Sequence, residues 1–380
     1  MDQWLRNDYS NTAAARGADE NVAKAAWNQA IALQKRGLPP ILTLNHLAVH
    51  TQTKYKYLRS LVERRDDPYR VFRIRKRTNG TRQICVPEPR LLRIQTWIDR
   101  YVLAEVTPHE CAMAYARGSS IVKCANLHAG CTWLVKCDVQ NFFESISEIQ
   151  VFRAFRRFGY ERLVAFELAR LTTRTYSASK KYEQTTWQCR NQKYSNIKNY
   201  QQSNLGHLPQ GAPSSPKLSN LVMVEFDSQI RDLATSSNLT YTRYADDLVF
   251  SFHGHAKKFD RKDASAIISK VHEKLRMIGM QPNLSKTTVV PPGSRKIVLG
   301  LCVNDTKPRL TRTFKKNLET HAHYVCRFGI VKHSRKRGFD SVIGCRAHLK
   351  GLLRFAHSVE PEFVKRIEAR LDTSDWDQKD

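Results

Sequence analysis

The chain has 380 residues, enough for a large core and for two or three units that pack as one lobed body. Hydrophobic residues make up 41%, yet no stretch approaches the roughly 20 consecutive apolar residues of a membrane span, and Met1 to Arg16 lacks a signal-peptide core, so the sequence predicts a soluble, cytoplasmic protein. Lys plus Arg number 63 against 35 Asp plus Glu, a net of +28 that favours a polyanionic partner, nucleic acid first; no basic amphipathic helix with an aromatic face points to a membrane.

Asn21 to Lys35 reads as a helix, with Val22, Ala25, Ala26, Ala30 and Leu33 at helical spacing and Gly37-Leu38-Pro39-Pro40 closing it. It defines an N-terminal helical extension over residues 1–40. Tyr69 to Arg77 and Thr81 to Val86 alternate apolar and basic residues around Asn79-Gly80, a hairpin pattern. Thr132 to Asp138 reads as a buried strand. Ser147 with Gln150 three positions on forms a capping box for a helix reaching about Phe158.

Tyr176 to Asn204 turns to Lys, Gln, Asn, Ser and Tyr without a sustained apolar period, which marks an exposed insertion. Ser215 and Pro216 read as N-cap and first helical residue of a helix carrying Leu221, Val222, Phe226, Ile230 and Leu233. Leu239 to Tyr244 and Leu248 to Phe252 are two short strands on either side of Ala245-Asp246-Asp247. From Phe314 onward the chain reads as helical and basic.

The nine cysteines, at positions 85, 111, 124, 131, 137, 189, 302, 326 and 345, include no C-x-x-C pair. That pattern predicts reduced thiols and argues against structural zinc or a disulfide framework. Cys137, beside Asp138, reads as a small buried thiol rather than a nucleophile.

The chemistry centres on acidic residues at strand ends, Asp138 and Asp246-Asp247. Phosphoryl transfer uses two divalent ions about 3.5 to 4 Å apart, one activating a hydroxyl and one steadying the leaving pyrophosphate, and carboxylates are hard ligands suited to Mg²⁺. The plainer reading of an Asp-Asp pair is turn chemistry. Here it stands in Tyr244-Ala245-Asp246-Asp247, which resembles the motif of reverse transcriptases, and other segments follow in that family's order between about Tyr69 and Asp305.

Asp138-Val139-Gln140-Asn141-Phe142-Phe143 resembles the family's first metal-binding motif. The resemblance implies that Asp138, Asp246 and Asp247 are catalytic and hold two Mg²⁺ ions. It makes Phe143 the steric gate against a ribose 2′-hydroxyl, with Phe142 a core residue. Leu208 to Pro216 resembles the motif in which a glutamine, here Gln210, lies under the incoming nucleotide, and Gly211 permits a close backbone approach. Lys76 and Arg82 match the positions that grip the triphosphate, as cations over a phosphate site must. Lys286 resembles the lysine near the leaving pyrophosphate.

Among reverse transcriptases the retron group is the nearest resemblance. Cys124-Ala125-Asn126-Leu127-His128 is similar to its Asn-Ala-x-x-His element with Cys for the first Asn, and Val298-Leu299-Gly300 to its Val-Thr-Gly with Leu for Thr. Asn126, His128 and Arg312 are the RNA-contacting candidates, a structural histidine being the other reading of His128. Leu301 to Asn304 would form the primer grip, and the basic helices beyond it would hold template-primer duplex through phosphates.

The expected fold is therefore α+β, a right-hand polymerase with fingers, a split βαβ palm and a helical thumb: fingers and palm over 41–311, thumb over 312–380. The implied activity is an RNA-directed DNA polymerase, a nucleotidyltransferase consuming dNTPs. It would copy a cognate structured noncoding RNA, which serves as template and primer, from a guanosine 2′-hydroxyl into branched RNA-linked DNA (msDNA). The resemblance further implies anti-phage defence and an effector protein encoded nearby. Rival readings are another bacterial defence or diversity-generating reverse transcriptase, and a polymerase-fold RNA-binding scaffold that cages an effector. A pure scaffold has no need of three clustered carboxylates that repel one another.

Overall fold

The computed structural model describes residues 6–75, 81–104, 107–175, 204–255, 258–372 and 376. The polar insertion read at 176–204 lies outside these residues except for its last position. The fold mixes helices with small antiparallel sheets, the α+β class that the sequence predicts. The chain divides into two compact units, one of Met1–Ala116, Val139–Gln229 and His272–Asn283, the other of Arg117–Asp138, Ile230–Val271 and Leu284–Asp380.

In the first unit, helix Glu20–Gln34 is capped by Asp19, whose carboxylate accepts from the backbone N–H of Asn21 and Val22. Ala23, Ala30 and Leu33 form its buried stripe. A preceding helix, Arg6–Ala15, lies within the helical extension read over residues 1–40, ahead of the one helix placed there from apolar spacing. The hairpin β1 (Tyr69–Arg75) and β2 (Thr81–Pro87) pairs in the register Tyr69↔Pro87 to Arg75↔Thr81. Val71, Phe72 and Ile74 stay exposed on it, so this two-stranded ribbon buries little of its own apolar surface. Helix Glu148–Arg157 opens with the capping box of Ser147 and Gln150, as predicted, and packs on helix Arg162–Thr172.

The helix expected to run on from Ser215 is two helices, Ser215–Val222 and Val224–Ser236, with Ser214 as N-cap and Met223 between them. The apolar period passes through the break unchanged, which is why the sequence hides it. A nearby pair, Lys217 Nζ to Asp99 Oδ1 at 3.2 Å, ties the first of the two helices down.

Strand β3 (Trp133–Gln140) crosses the unit boundary. In the second unit its residues Trp133 to Asp138 pair antiparallel with β5 (Asp247–Phe252), and β5 pairs with β4 (Thr240–Tyr244). In the first unit Val139 and Gln140 pair with β6 (Gln281–Pro282), and in the second β7 (Thr288–Val290) lies along Leu134 to Lys136. A smaller sheet joins β8 (Ile297–Val298), β9 (Leu301–Cys302) and β10 (Arg309–Leu310). Leu299 and Gly300 link β8 to β9 with φ of 49° and 85°, the two positive values that a two-residue type I′ turn requires.

Beyond β10 come helices Arg312–Arg337, Val342–His357 and Pro361–Leu371. Leu318, Ala322, Val325, Leu349, Leu353, Val364 and Ile367 line one buried cluster that also takes in Val298, Leu301 and Val303. The first of these helices is interrupted at Gly329 (φ 77°, ψ 159°), a break that the basic, helical reading of the tail does not anticipate.

Candidate active site

Two strands and one tight turn build the acidic centre. Tyr244 is the cross-strand partner of Asp247, so Ala245 and Asp246 alone make the turn between β4 and β5. Ala245 sits at φ 55°, a left-handed conformation that costs a residue with a Cβ on the order of 1 kcal/mol. Arg243, fully buried, donates from Nη1 to the carbonyl of Ala245 at 3.3 Å and braces the turn. On the neighbouring strand Asp138 is the Cα partner of Asp247. Directly opposed residues hold their Cβ atoms about 4.5–5.5 Å apart, so two carboxylates face each other with Asp246 adjacent.

The electrostatics follow from that crowding. Burial, the Asp246 charge and the Asp138 charge push the Asp247 carboxyl up from 3.8 to about 6, against the pull of Lys136 and Lys286. Lys286 Nζ donates to Asp138 Oδ2 at 2.7 Å, with the carboxylate buried and the lysine half exposed. Burial pulls the Lys286 pKa down, but the hydrogen bond and charge of Asp138, with Asp246 and Asp247, raise it above its ordinary 10.5. Lys136, two residues before Asp138 and so on the same strand face, is a second cation at this cluster.

A divalent cation fits this donor set. The carboxylates are hard oxygens that repel one another, and Lys136 and Lys286 offset part of that charge. Among the described residues no group of three or more His, Cys, Asp or Glu forms a ready-made cage. Mg²⁺ commonly takes one or two carboxylates together with water and substrate phosphates, so an open arrangement suits it.

Asp138, Asp246, Asp247 and Lys286 thus come together within the second unit. Phe143, Gln210 and Arg82 belong to the first. Phe143 is half-buried, its ring centroid 5.5 Å from that of Phe142 and 6.3 Å from that of Tyr115, whereas Phe142 is buried as the core reading expected. The Gln210 carbonyl accepts from the Cys85 N–H at 2.7 Å, which fastens its loop to β2. At Gly211 (φ 113°) an added Cβ would stand 2.9 Å from Ile84 Cγ2 and 3.1 Å from the Cys85 carbonyl oxygen, so the close approach this glycine permits is to β2. Arg82 is exposed on β2, and Lys76 lies outside the described residues.

Of the two readings of His128, RNA contact and structural histidine, its surroundings in the fold match the second. Its ring is 0% exposed, with Nδ1 2.7 Å from Ser251 Oγ and Nε2 2.7 Å from Thr242 Oγ1. Cys124 Sγ also meets Thr242 Oγ1, at 3.4 Å. The segment from Cys124 to His128 therefore anchors helix Ile121–Asn126 on the sheet face that carries Asp247 at its far end, since Ser251 and Asp247 share strand parity. Asn126 and Arg312 are exposed.

Burial, aided by the charge of His253, pushes the His128 pKa down from 6.5 to about 3. The folded state keeps this imidazole neutral while the unfolded chain takes up a proton below about 6.5, so stability is lost as pH falls from there toward 3, at up to about 1.4 kcal/mol per pH unit. The urea midpoint is expected to drop between pH 7.5 and 5, and His128→Asn to flatten that drop. An equal drop in the variant would show that His128 does not carry the effect.

Sequence reasoning missed Arg243, Lys136 and the Lys286–Asp138 pair. Strand alternation could have found the first two, because a cation at an inward position of a short apolar strand needs a partner. The third joins residues 148 positions apart and leaves no local signal.

Residues 74–313 match the model of the family described as reverse transcriptase (RNA-dependent DNA polymerase). The chain is similar to Retron Ec86 reverse transcriptase of Escherichia coli, 28% identical over 351 residues that cover 91% of this chain and 93% of that protein. Retron Ec83 reverse transcriptase, also of Escherichia coli, is 28% identical over 314 residues, 80% of this chain and 88% of the other. Among solved structures, a foamy viral protease-reverse transcriptase in complex with double-stranded DNA aligns with a TM-score of 0.41 and 15% identity over 80% of this chain and 38% of that one.

Proposed function

The chain belongs to the reverse transcriptase (RNA-dependent DNA polymerase) family, with the right-hand polymerase fold and of retron type, and on that premise we propose how its own residues work and what it makes. The observation that carries the proposal is the cross-strand opposition of Asp138 and Asp247, with Asp246 in the turn beside them. Asp138, Asp246 and Asp247 would hold two Mg²⁺ ions, which when bound lower the pKa of the attacking hydroxyl and stabilise charge on the leaving pyrophosphate.

The protein's residues supply the rest. Lys286, hydrogen-bonded to Asp138, holds a proton beside the site where pyrophosphate would depart. Arg82 and Lys76 would counter the triphosphate charge, Gln210 would lie under the incoming dNTP, and Phe143 would exclude a 2′-hydroxyl by contact with its ring. The three helices from Arg312 to Leu371 would serve as the thumb over 312–380, after fingers and palm over 41–311 and an extension over 1–40.

The product is msDNA: a cognate structured noncoding RNA is template and primer source, and DNA grows from a guanosine 2′-hydroxyl. The setting is anti-phage defence in the cytoplasm, with an effector encoded nearby held in check by the ribonucleoprotein. What supports this is the similarity to retron reverse transcriptases across most of their length, the net charge of +28 and the fact that no described helix is long and apolar enough to cross a membrane.

The test is to express the chain with its flanking locus, extract bound nucleic acid and look for a discrete DNA that stays joined to RNA until debranched. An Asp246→Ala, Asp247→Ala variant runs in parallel, and Phe143→Ala is scored for ribonucleotide incorporation. The expected result is a branched species lost in the double variant, and increased ribonucleotide use by Phe143→Ala. Unbranched DNA would remove the msDNA assignment. RNA bound with no DNA in either protein would leave a scaffold.

A further inference from the structure

The break at Gly329 reverses a helix and gathers aromatic and cationic side chains that a straight helix would scatter. His321 Nδ1 lies 2.8 Å from His333 Nε2 although the two are twelve positions apart, a separation of about 18 Å along an unbroken helix. Gly329 alone turns the chain. Its φ of 77° is costly for any residue with a Cβ, although an added Cβ would meet nothing within 4 Å, so the glycine serves the backbone rather than the space.

Around this elbow Tyr324 is near-parallel to two other rings. Its centroid stands 5.9 Å from Phe328 at 21° and 6.1 Å from His333 at 12°. Lys336 Nζ lies 5.2 Å from the Tyr324 centroid, and the Arg327 guanidinium 5.2 Å from that of Phe328. Phe328 is 44% exposed and Val331 46%. Between Thr320 and Phe339 the chain has Arg327, Lys332, Arg335, Lys336 and Arg337 and no Asp or Glu.

We propose that this elbow is a binding site for unpaired nucleobases of an RNA strand, with Phe328 as the stacking surface and Arg327 and Lys336 as its cations. The inference rests on the polymerase reading above and adds to it a site for single-stranded RNA outside the acidic centre. An exposed apolar ring alone could seat a protein, but Arg327 and Lys336 at the rings, in a stretch from 321 to 338 without an acid, make the patch complementary to a phosphate backbone. Bases in a duplex bury their faces against one another. The exposed part of the Phe328 ring, next to a planar guanidinium, offers apolar surface to bases that are not paired.

The test uses the full chain and fluorescence anisotropy with two labelled probes, an oligouridine of about a dozen nucleotides and a blunt RNA duplex. Phe328→Ala is expected to weaken oligouridine binding about tenfold and duplex binding less than twofold, with an unchanged circular dichroism spectrum. Phe328→Trp should bind oligouridine as tightly as the wild type. Absence of oligouridine binding by the wild type, an unchanged affinity in Phe328→Ala, or an equal loss on both probes would overturn the proposal. Extension of a primed RNA template is measured alongside, so a chain that extends primers without stacking on Phe328 defeats the elbow and leaves the polymerase standing.

Discussion

Asp246→Ala is expected to lower DNA synthesis on a primed RNA template at least about a thousandfold, and Asp138→Asn by a similar factor, because in the proposed role each is a metal ligand whose loss costs several kcal/mol of transition-state stabilisation, and each 1.36 kcal/mol is a decade in rate. The same Asp246→Ala variant should not lose stability. At neutral pH the folded state holds Asp247 ionised although burial and Asp246 push its pKa up to about 6. A raised carboxyl pKa means that the native state binds its proton more tightly than the unfolded chain, so the cluster's cost is fully present above about pH 6 and fades as pH falls toward 3.8.

Deleting the neighbouring charge removes part of that cost. In chelator at pH 7.5 the melting temperature of Asp246→Ala should equal or exceed that of the wild type. An inactive variant that melts well below it would mean that Asp246 holds the turn together and that lost activity reflects lost structure. A variant that keeps more than about a tenth of the wild-type rate would remove Asp246 from the chemistry.

The pattern of what the sequence disclosed has a physical cause. The β4–β5 turn is legible because two short apolar runs with Ala245-Asp246-Asp247 between them are local features, and the capping box at Ser147 and Gln150 is local too. The break at Met223 and the reversal at Gly329 are not, since one residue in an unbroken helical period is tolerated in most helices and only tertiary packing decides otherwise. His128 illustrates a third case. Whether this histidine faces RNA or fills a slot between Thr242 and Ser251 depends on strands more than 110 positions away.

The largest stability effect is expected at Glu148, which the sequence presents as an ordinary acid in the first turn of a helix. It is 4% exposed and lies between two guanidiniums: Arg64 Nη2 donates to its Oε2 at 2.6 Å and Arg170 Nε to its Oε1. Burial alone would raise its pKa, but the charges and hydrogen bonds of Arg64 and Arg170 hold it below the ordinary 4.5. Glu148→Ala leaves two buried cations facing each other and should cost about 3–5 kcal/mol. Replacing Glu148 by Leu together with Arg64 and Arg170 by Met should cost less than the single change, because no charge is then stranded.

The consequence reaches the Gln210 loop, the proposed nucleotide contact, through the backbone. Glu148 N–H donates to the Gly206 carbonyl at 2.7 Å, Gly206 N–H returns a bond to Glu148 Oε2 at 3.1 Å, and Leu208 N–H bonds the Ile146 carbonyl at 3.0 Å. This ladder leads directly into Pro209 and Gln210. Glu148→Ala should therefore lower the urea midpoint and, where it stays folded, raise KM for dNTP more than it lowers kcat. An unfolding free energy within about 1 kcal/mol of the wild type would show that Arg64 and Arg170 find other partners and that the network is not what fixes the Gln210 loop.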